Sequence, residues 1–234
     1  MIARAADGFA CEDDARRALI DAAIAMNDAG INQGKAGNVS LRWPRSAREG
    51  FLVTPSALPY SRTGVDDVVW VGFGDRGAGR EPVFDGARKP SSEWRFHHDI
   101  LLARPATGCV LHTHGVHSAT LACRAKVQRE GMPAFHYMIA VAGGDSIRCA
   151  PYATFGTQAL SDHAIAALED RRACLLANHG LIATGAGLDD ALALALEVET
   201  LARMYGRLLD TGDAVILGDA QMREVLERFG TYRP

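Results

Sequence analysis

The sequence predicts a single α/β domain. Short strand-like apolar runs alternate with amphipathic helical stretches along the whole chain, and the two periods are read as strands and helices. No internal repeat, low-complexity tract or composition break marks a linker. A chain of 234 residues, 48% hydrophobic and 23% charged, has the apolar content of a folded core rather than of a disordered segment.

The elements follow in order. "EDDARRALIDAAIAMNDAG" places Leu19, Ala22, Ala23 and Met26 on one face, with Gly30 as a stop, the pattern of an amphipathic helix. "NVSLR", "GFLVTP" and "VVWVGF" read as strands at 38–42, 50–55 and 68–73. A long Gly- and Pro-containing connection spans 74–90. "SSEWRFHHDILLARP" opens on serines, carries Glu93 early and stops before Pro105, so it reads as a helix with a serine N-cap. "CVLHTH" is a strand and 116–124 a short helix; "SIRCAPY" and "ACLLANHGLIATG" read as strands, and "TQALSDHAIAALED" as a helix. "LDDALALALEVETLARMYGRLLDTG" is a long helix with Leu188, Leu192 and Leu196 on one stripe and Gly212 past its end. "DAQMREVLERFG" is the last helix.

Composition excludes several classes of function. A net charge of −3 argues against nucleic acid or an anionic membrane as partner. No apolar run approaches the roughly 20 residues of a membrane span. The acidic residues in "MIARAADGFACEDDARRA" do not suit a signal peptide. Cys11, Cys109, Cys123, Cys149 and Cys174 are scattered and lack CxxC spacing; they read as buried thiols of a protein in a reducing cytoplasm.

The chemistry centres on "CVLHTHGVHS". In a strand, residues two apart point to the same side, so His112 and His114 form a pair on one face. HxH alone also occurs as ordinary surface or core histidines. A third histidine, His179 in "LLANHGLIATG", follows another apolar run; alone it is also a loop histidine. Together the three have the pattern of a catalytic zinc site with an open position. His97 and His98 read as residues of a solvated helix face. Ser91 and Ser92 at a helix start offer hydroxyls and free backbone N–H groups to an anion. "GKAGNVSLR", with Lys35, Gly37 and Asn38, and "VTPSALPYSRT", with Ser56, are further turns at strand ends; such residues also fill ordinary turns. Glu93 is either a dipole-friendly first-turn glutamate or a general acid/base beside a metal.

In order along the chain, "GKAGNVSLR", "VTPSALPYS", "KPSSEWRFH", "VLHTHGVHS", "FHYMIAVAGGDSIRCAPYATFGT" and "NHGLIATG" resemble the class II aldolase/adducin family, from about residue 15 to the C-terminus. The resemblance implies a three-layer α/β/α domain spanning 1–234 with a central, mainly antiparallel sheet. It implies a cytoplasmic, zinc-dependent aldolase that reversibly cleaves a ketose 1-phosphate to dihydroxyacetone phosphate and an aldehyde. The ketose would be L-fuculose 1-phosphate-like or a 5-deoxy- or 5-methylthio-pentulose 1-phosphate. One divalent metal per subunit, zinc or another, would be held by His112, His114 and His179. Glu93 would be the acid/base and a fourth ligand until substrate displaces it. Gly37, Asn38, Ser91 and Ser92, with the Ser56–Ala57 turn, would hold the phosphate. Phe155 and Tyr232 would line the aldehyde pocket. Tyr137 would act from a neighbouring subunit of a homotetramer with active sites at the interfaces. The apolar stretch "GMPAFHYMIAVAGG" suits such a contact. Three positions depart from the family pattern. Ala57 stands where relatives often have Gly, Asn178 where some have His, and Lys35 where close relatives tend to have a small hydroxyl residue.

Rival readings share parts of this set. A 4-epimerase, dehydratase or decarboxylase of the same superfamily uses a similar metal claw. A carbonic-anhydrase-like hydration enzyme uses HxH and a later His but needs no phosphate site. A non-catalytic adducin-like assembly protein needs no metal. A Schiff-base aldolase would need a lysine in an apolar strand, and none stands in such a context.

Overall fold

A computed structural model describes residues 8–46, 48–74 and 81–231. Its strands are β1 (Asn38–Arg42), β2 (Gly50–Val53), β3 (Val69–Gly72), β4 (Val83–Asp85), β5 (Cys109–Thr113), β6 (Cys149–Ala150), β7 (Ala173–Leu176) and β8 (Gly180–Gly185). They form one eight-stranded sheet in the order β4-β3-β2-β1-β5-β8-β7-β6. Neighbours are antiparallel except β6 and β7, which run parallel. The helices are α1 (Glu12–Asp28), α2 (Trp94–Ala103), α3 (Val116–Ala122), α4 (Ala125–Glu130), α5 (Gln158–Ala167), α6 (Leu188–Thr211) and α7 (Asp219–Thr231).

The central strands are buried on both faces, so they read as apolar runs rather than as alternating patterns. Successive residues divide between two cores. Val39, Leu41, Leu52, Leu111, Leu181 and Ala183 pack with Leu19 and Met26 of α1 and Val198 and Leu201 of α6. Phe51, Val53, Val71, Val110 and Ile182 pack with Phe96 and Ile100 of α2 and Leu160 of α5. This is the three-layer α/β/α arrangement, with a mostly antiparallel sheet. Among the described residues, no helix is long and apolar enough to cross a membrane.

Several local expectations need correction. β4 falls inside the stretch read as a connection, and pairs its three residues with β3; 75–80 lie outside the described residues. "ACLLANHGLIATG" is two antiparallel strands, broken by a tight turn in which Asn178 takes φ 56°, a conformation that asparagine tolerates. α2 begins at Trp94 with Glu93 at its N-cap, and no serine caps it. Ser91 instead braces the turn before it, its Oγ accepting from Glu93 N–H at 3.2 Å. On α6 the buried line runs through Leu188, Ala191, Leu194, Ala195, Val198 and Leu201; Leu192 and Leu196 are only partly buried. Cys109 and Cys174 are buried, but Cys11 and Cys123 are exposed.

Candidate metal centre

Sheet register assembles the site. Across β1 and β5, Asn38 lies opposite His112 and Ser40 opposite Val110. By the two-residue period these four share the face that carries α2. His114 follows the last residue of β5, and the ring centroids of His112 and His114 are 4.8 Å apart. β8 pairs with the other edge of β5, and the turn before it supplies His179, whose ring is 4.7 Å from His112 and 4.8 Å from His114. Two glycines permit this closeness. A Cβ at Gly37 would stand 2.4 Å from the His112 carbonyl oxygen, and one at Gly180 would stand 2.4 Å from that of Thr113.

Glu93 completes the group. Its Oε2 is 3.3 Å from His112 Nε2, and its Oε1 is 3.3 Å from His179 Nε2. One ligand atom from each of Glu93, His112, His114 and His179 lies within 4.8 Å of all the others. His112 Nδ1 donates to the Leu181 carbonyl at 2.8 Å, so its Nε2 lone pair faces the cluster, as a ligating imidazole requires. Burial, then the neighbouring His114, pushes the His112 pKa down to about 3; burial, then His112, takes His179 to about 4, and burial lowers His114 as well. All three imidazoles are therefore neutral bases at neutral pH. Two observations fit a divalent cation among them. His112 Nε2 and His114 Nε2 approach to 2.9 Å, so both ring nitrogens converge on one point. Glu93 Oε1 is buried without a hydrogen-bond partner among the described residues, which is costly for a carboxylate oxygen.

The turns read as an anion site are tied into one rim. The Ser56 N–H donates to the Lys89 carbonyl and the Ser91 N–H to that of Thr54, each at 3.0 Å. Lys35 Nζ donates to the Ala57 carbonyl at 3.3 Å, and the Tyr60 hydroxyl donates to the Gly37 carbonyl. Ala57 keeps the left-handed conformation, φ 61°, at a cost of roughly 1–2 kcal/mol for a residue with a Cβ. Ser56 and Ser92 are exposed, and Ser91 is buried. The Phe155 turn docks beside this rim, where the Gly156 carbonyl accepts from Arg95 Nε at 3.3 Å. Phe155 and Tyr137 themselves are exposed and stand outside the four-residue cluster. Tyr232 lies outside the described residues. His117 is exposed and not part of the cluster.

Other residues around the site carried no sequence signal of their own. His97 and His98, expected on a solvated face, are 0% and 4% exposed. Glu199 reaches from α6 to accept from the N–H groups of His117 and Ser118 at 2.7 and 3.0 Å, anchoring the segment just after His114. Asn32 Oδ1 accepts from the His114 N–H at 3.3 Å.

Comparison with known proteins places this geometry. Residues 17–206 match the family model described as Class II Aldolase and Adducin N-terminal domain. The chain is 50% identical over 217 residues to 5-methylthioribulose-1-phosphate/5-deoxyribulose-1-phosphate aldolase of Rhodospirillum rubrum, covering 93% of this chain and 91% of that one. It is 44% identical over 217 residues to L-fuculose phosphate aldolase of Escherichia coli (strain K12), covering 92% and 94%. A solved structure titled L-fuculose 1-phosphate aldolase superposes with a TM-score of 0.82 at 34% identity, covering 93% of this chain and 96% of that one.

Proposed function

Because this chain belongs to the class II aldolase and adducin family, we propose that its three-histidine cluster serves a ketose-1-phosphate aldolase whose aldehyde product ends in a methyl or methylthio group. The chain is a class II aldolase by its likeness to the aldolases above. The finer reading rests on what the relatives' substrates share, since 5-methylthioribulose, 5-deoxyribulose and L-fuculose phosphates all lack a hydroxyl on the terminal carbon. The observation that carries the chemistry is the buried Glu93 Oε1, without a hydrogen-bond partner among the described residues and beside three neutral imidazoles.

His112, His114 and His179 would hold the cation, zinc being the expected ion for an imidazole set. When bound, it would act as a Lewis acid on the ketose carbonyl and the adjacent hydroxyl oxygen. Glu93 moves the proton at the carbon that loses its bond to the aldehyde half, as general acid in cleavage and base in the reverse direction. The rim of Gly37, Asn38, Ser56, Ala57, Ser91 and Ser92 holds the phosphate, with Lys35 close enough to add a cation. Binding energy from that remote group positions the reacting carbons. The aldehyde oxygen needs a proton donor on the opposite side, and we assign it to Tyr137 of a neighbouring subunit, with Phe155 and Tyr232 lining the pocket. Tyr137 is 51% exposed and Phe155 63%. Such exposed aromatic side chains suit an interface, and a homotetramer would bring them to a neighbour's site.

Two experiments test this. In a panel of ketose 1-phosphates, those with a deoxy or methylthio terminus should release dihydroxyacetone phosphate, and a chelator should stop it. Faster cleavage of the terminally hydroxylated analogues would overturn the substrate reading. For the interface, inactive His114→Ala chains are mixed with inactive Tyr137→Phe chains under subunit exchange. Partial recovery of activity is expected, because some mixed interfaces pair an intact cluster with an intact tyrosine. No recovery despite proven exchange would refute the assignment of Tyr137.

A further inference from the structure

We propose that His97 is a positioning residue for Glu93: acting through Asn38, it commits Oε2 of the carboxylate to accepting a hydrogen bond and leaves Oε1 to carry the proton. The inference rests on Glu93 being the acid/base.

Four side chains stand in a line beneath α2. Ser40 Oγ is 2.7 Å from His97 Nδ1, His97 Nε2 is 2.5 Å from Asn38 Oδ1, and Asn38 Nδ2 is 2.9 Å from Glu93 Oε2. Ser40, Asn38, His97 and Glu93 are all buried. Chemistry dictates the direction of every bond in the line. A carboxylate only accepts, so the amide nitrogen of Asn38 must face it. The amide oxygen of Asn38 then faces His97, whose Nε2 must carry the hydrogen. His97 Nδ1 is left as an acceptor, and the Ser40 hydroxyl donates to it. Burial keeps this imidazole neutral, pushing its pKa well down, so one tautomer runs the whole line.

The consequence falls on Glu93. Without a donor at His97 Nε2, the buried Asn38 amide oxygen loses its partner, and nothing on that side fixes the distance and angle at which its nitrogen meets Oε2. With the donor, Asn38 is locked and holds Oε2. The other oxygen, Oε1, has no hydrogen-bond partner among the described residues and faces His179 Nε2 at 3.3 Å. It is therefore the atom available to take and give a proton at the substrate carbon. The hydrogen bonds of His97 go to Ser40 and Asn38, so its effect on Glu93 runs through Asn38.

The test compares two amides at position 97 in metal-loaded enzyme. The side-chain nitrogen of glutamine falls near imidazole Nε2 and can donate to Asn38; that of asparagine falls near Nδ1 and cannot. The readouts are metal stoichiometry, KM for a ketose 1-phosphate, and solvent-hydrogen exchange at dihydroxyacetone phosphate. His97→Asn is expected to keep metal and slow both kcat and exchange about 10- to 100-fold, the effect of weakening the Asn38 hydrogen bond to the Glu93 carboxylate, with a smaller change in KM. His97→Gln is expected to restore exchange to within about threefold of wild type. Equal exchange rates in the two variants would overturn the proposal, because a packing role does not distinguish them. If either variant loses metal or fold, neutron diffraction of the deuterated, metal-loaded wild type decides. A deuteron on His97 Nε2 alone supports the line, and one on Nδ1 refutes it. A Glu93→Gln control separates the premises, since undiminished exchange there sinks the acid/base reading itself.

Discussion

Alanine at His114 is expected to yield a folded protein that has lost its tightly held metal and its aldolase activity together. His114 is half-buried at the end of β5, with its Nε2 2.9 Å from that of His112. Removing it leaves two imidazoles and a carboxylate, one ligand short of the histidine set the cluster provides. The fold should survive, because the His114 backbone is held independently through Asn32 and the segment beyond it through Glu199. Loss of Lewis-acid stabilisation is worth several kcal/mol, so retro-aldol turnover should fall by about 10³-fold or more. Metal per chain after dialysis and dihydroxyacetone phosphate release are the measurements. If a His112/His114/His179 triple-alanine protein still held stoichiometric zinc, these histidines would not be the ligands.

Much of this was legible in the sequence because it depends on short-range pattern. HxH at a strand end and a glutamate after two serines are visible within a few residues, and each fell where a strand or helix boundary was expected. The pairing was not legible. It takes the β1–β5 and β5–β8 registers to put Asn38 opposite His112 and bring His179 to the same edge, and these join segments far apart in sequence. His97 and His98 were misread because two adjacent histidines on a helix do not reveal which faces are covered. α2 is covered on more than one: His97 points at β1 through Ser40 and Asn38, while His98 bonds Asp99 at 2.8 Å and accepts from the Gly74 N–H at 3.1 Å. The stripe on α6 failed for a related reason. "LALALEVETL" is apolar on more than one side, and packing against α3 and the sheet, not period alone, selects Leu194 and Val198 over Leu192 and Leu196. β4 was missed because three exposed residues in a Gly-rich stretch carry little periodic signal.

Glutamine at Glu93 should separate holding the metal from moving the proton. The substitution keeps size and shape and removes the base. The three histidines remain, so metal stoichiometry should stay near wild type. The Asn38 amide can still donate to the glutamine oxygen in place of Oε2, which fixes the new side chain with its NH2 group where Oε1 stood. That group can neither accept the proton from dihydroxyacetone phosphate nor deliver one to the carbon released by cleavage. Exchange of solvent hydrogen at that carbon, and retro-aldol turnover with it, should drop about 10²–10⁴-fold, the usual contribution of a positioned acid/base. Substrate affinity should change far less, because the phosphate rim is untouched. Exchange is the decisive readout, since it needs only dihydroxyacetone phosphate and does not depend on Tyr137 or the aldehyde pocket. Exchange close to the wild-type rate in a metal-replete Glu93→Gln enzyme would assign the proton to another group. A fall in metal content matching the fall in rate would instead make Glu93 chiefly a ligand.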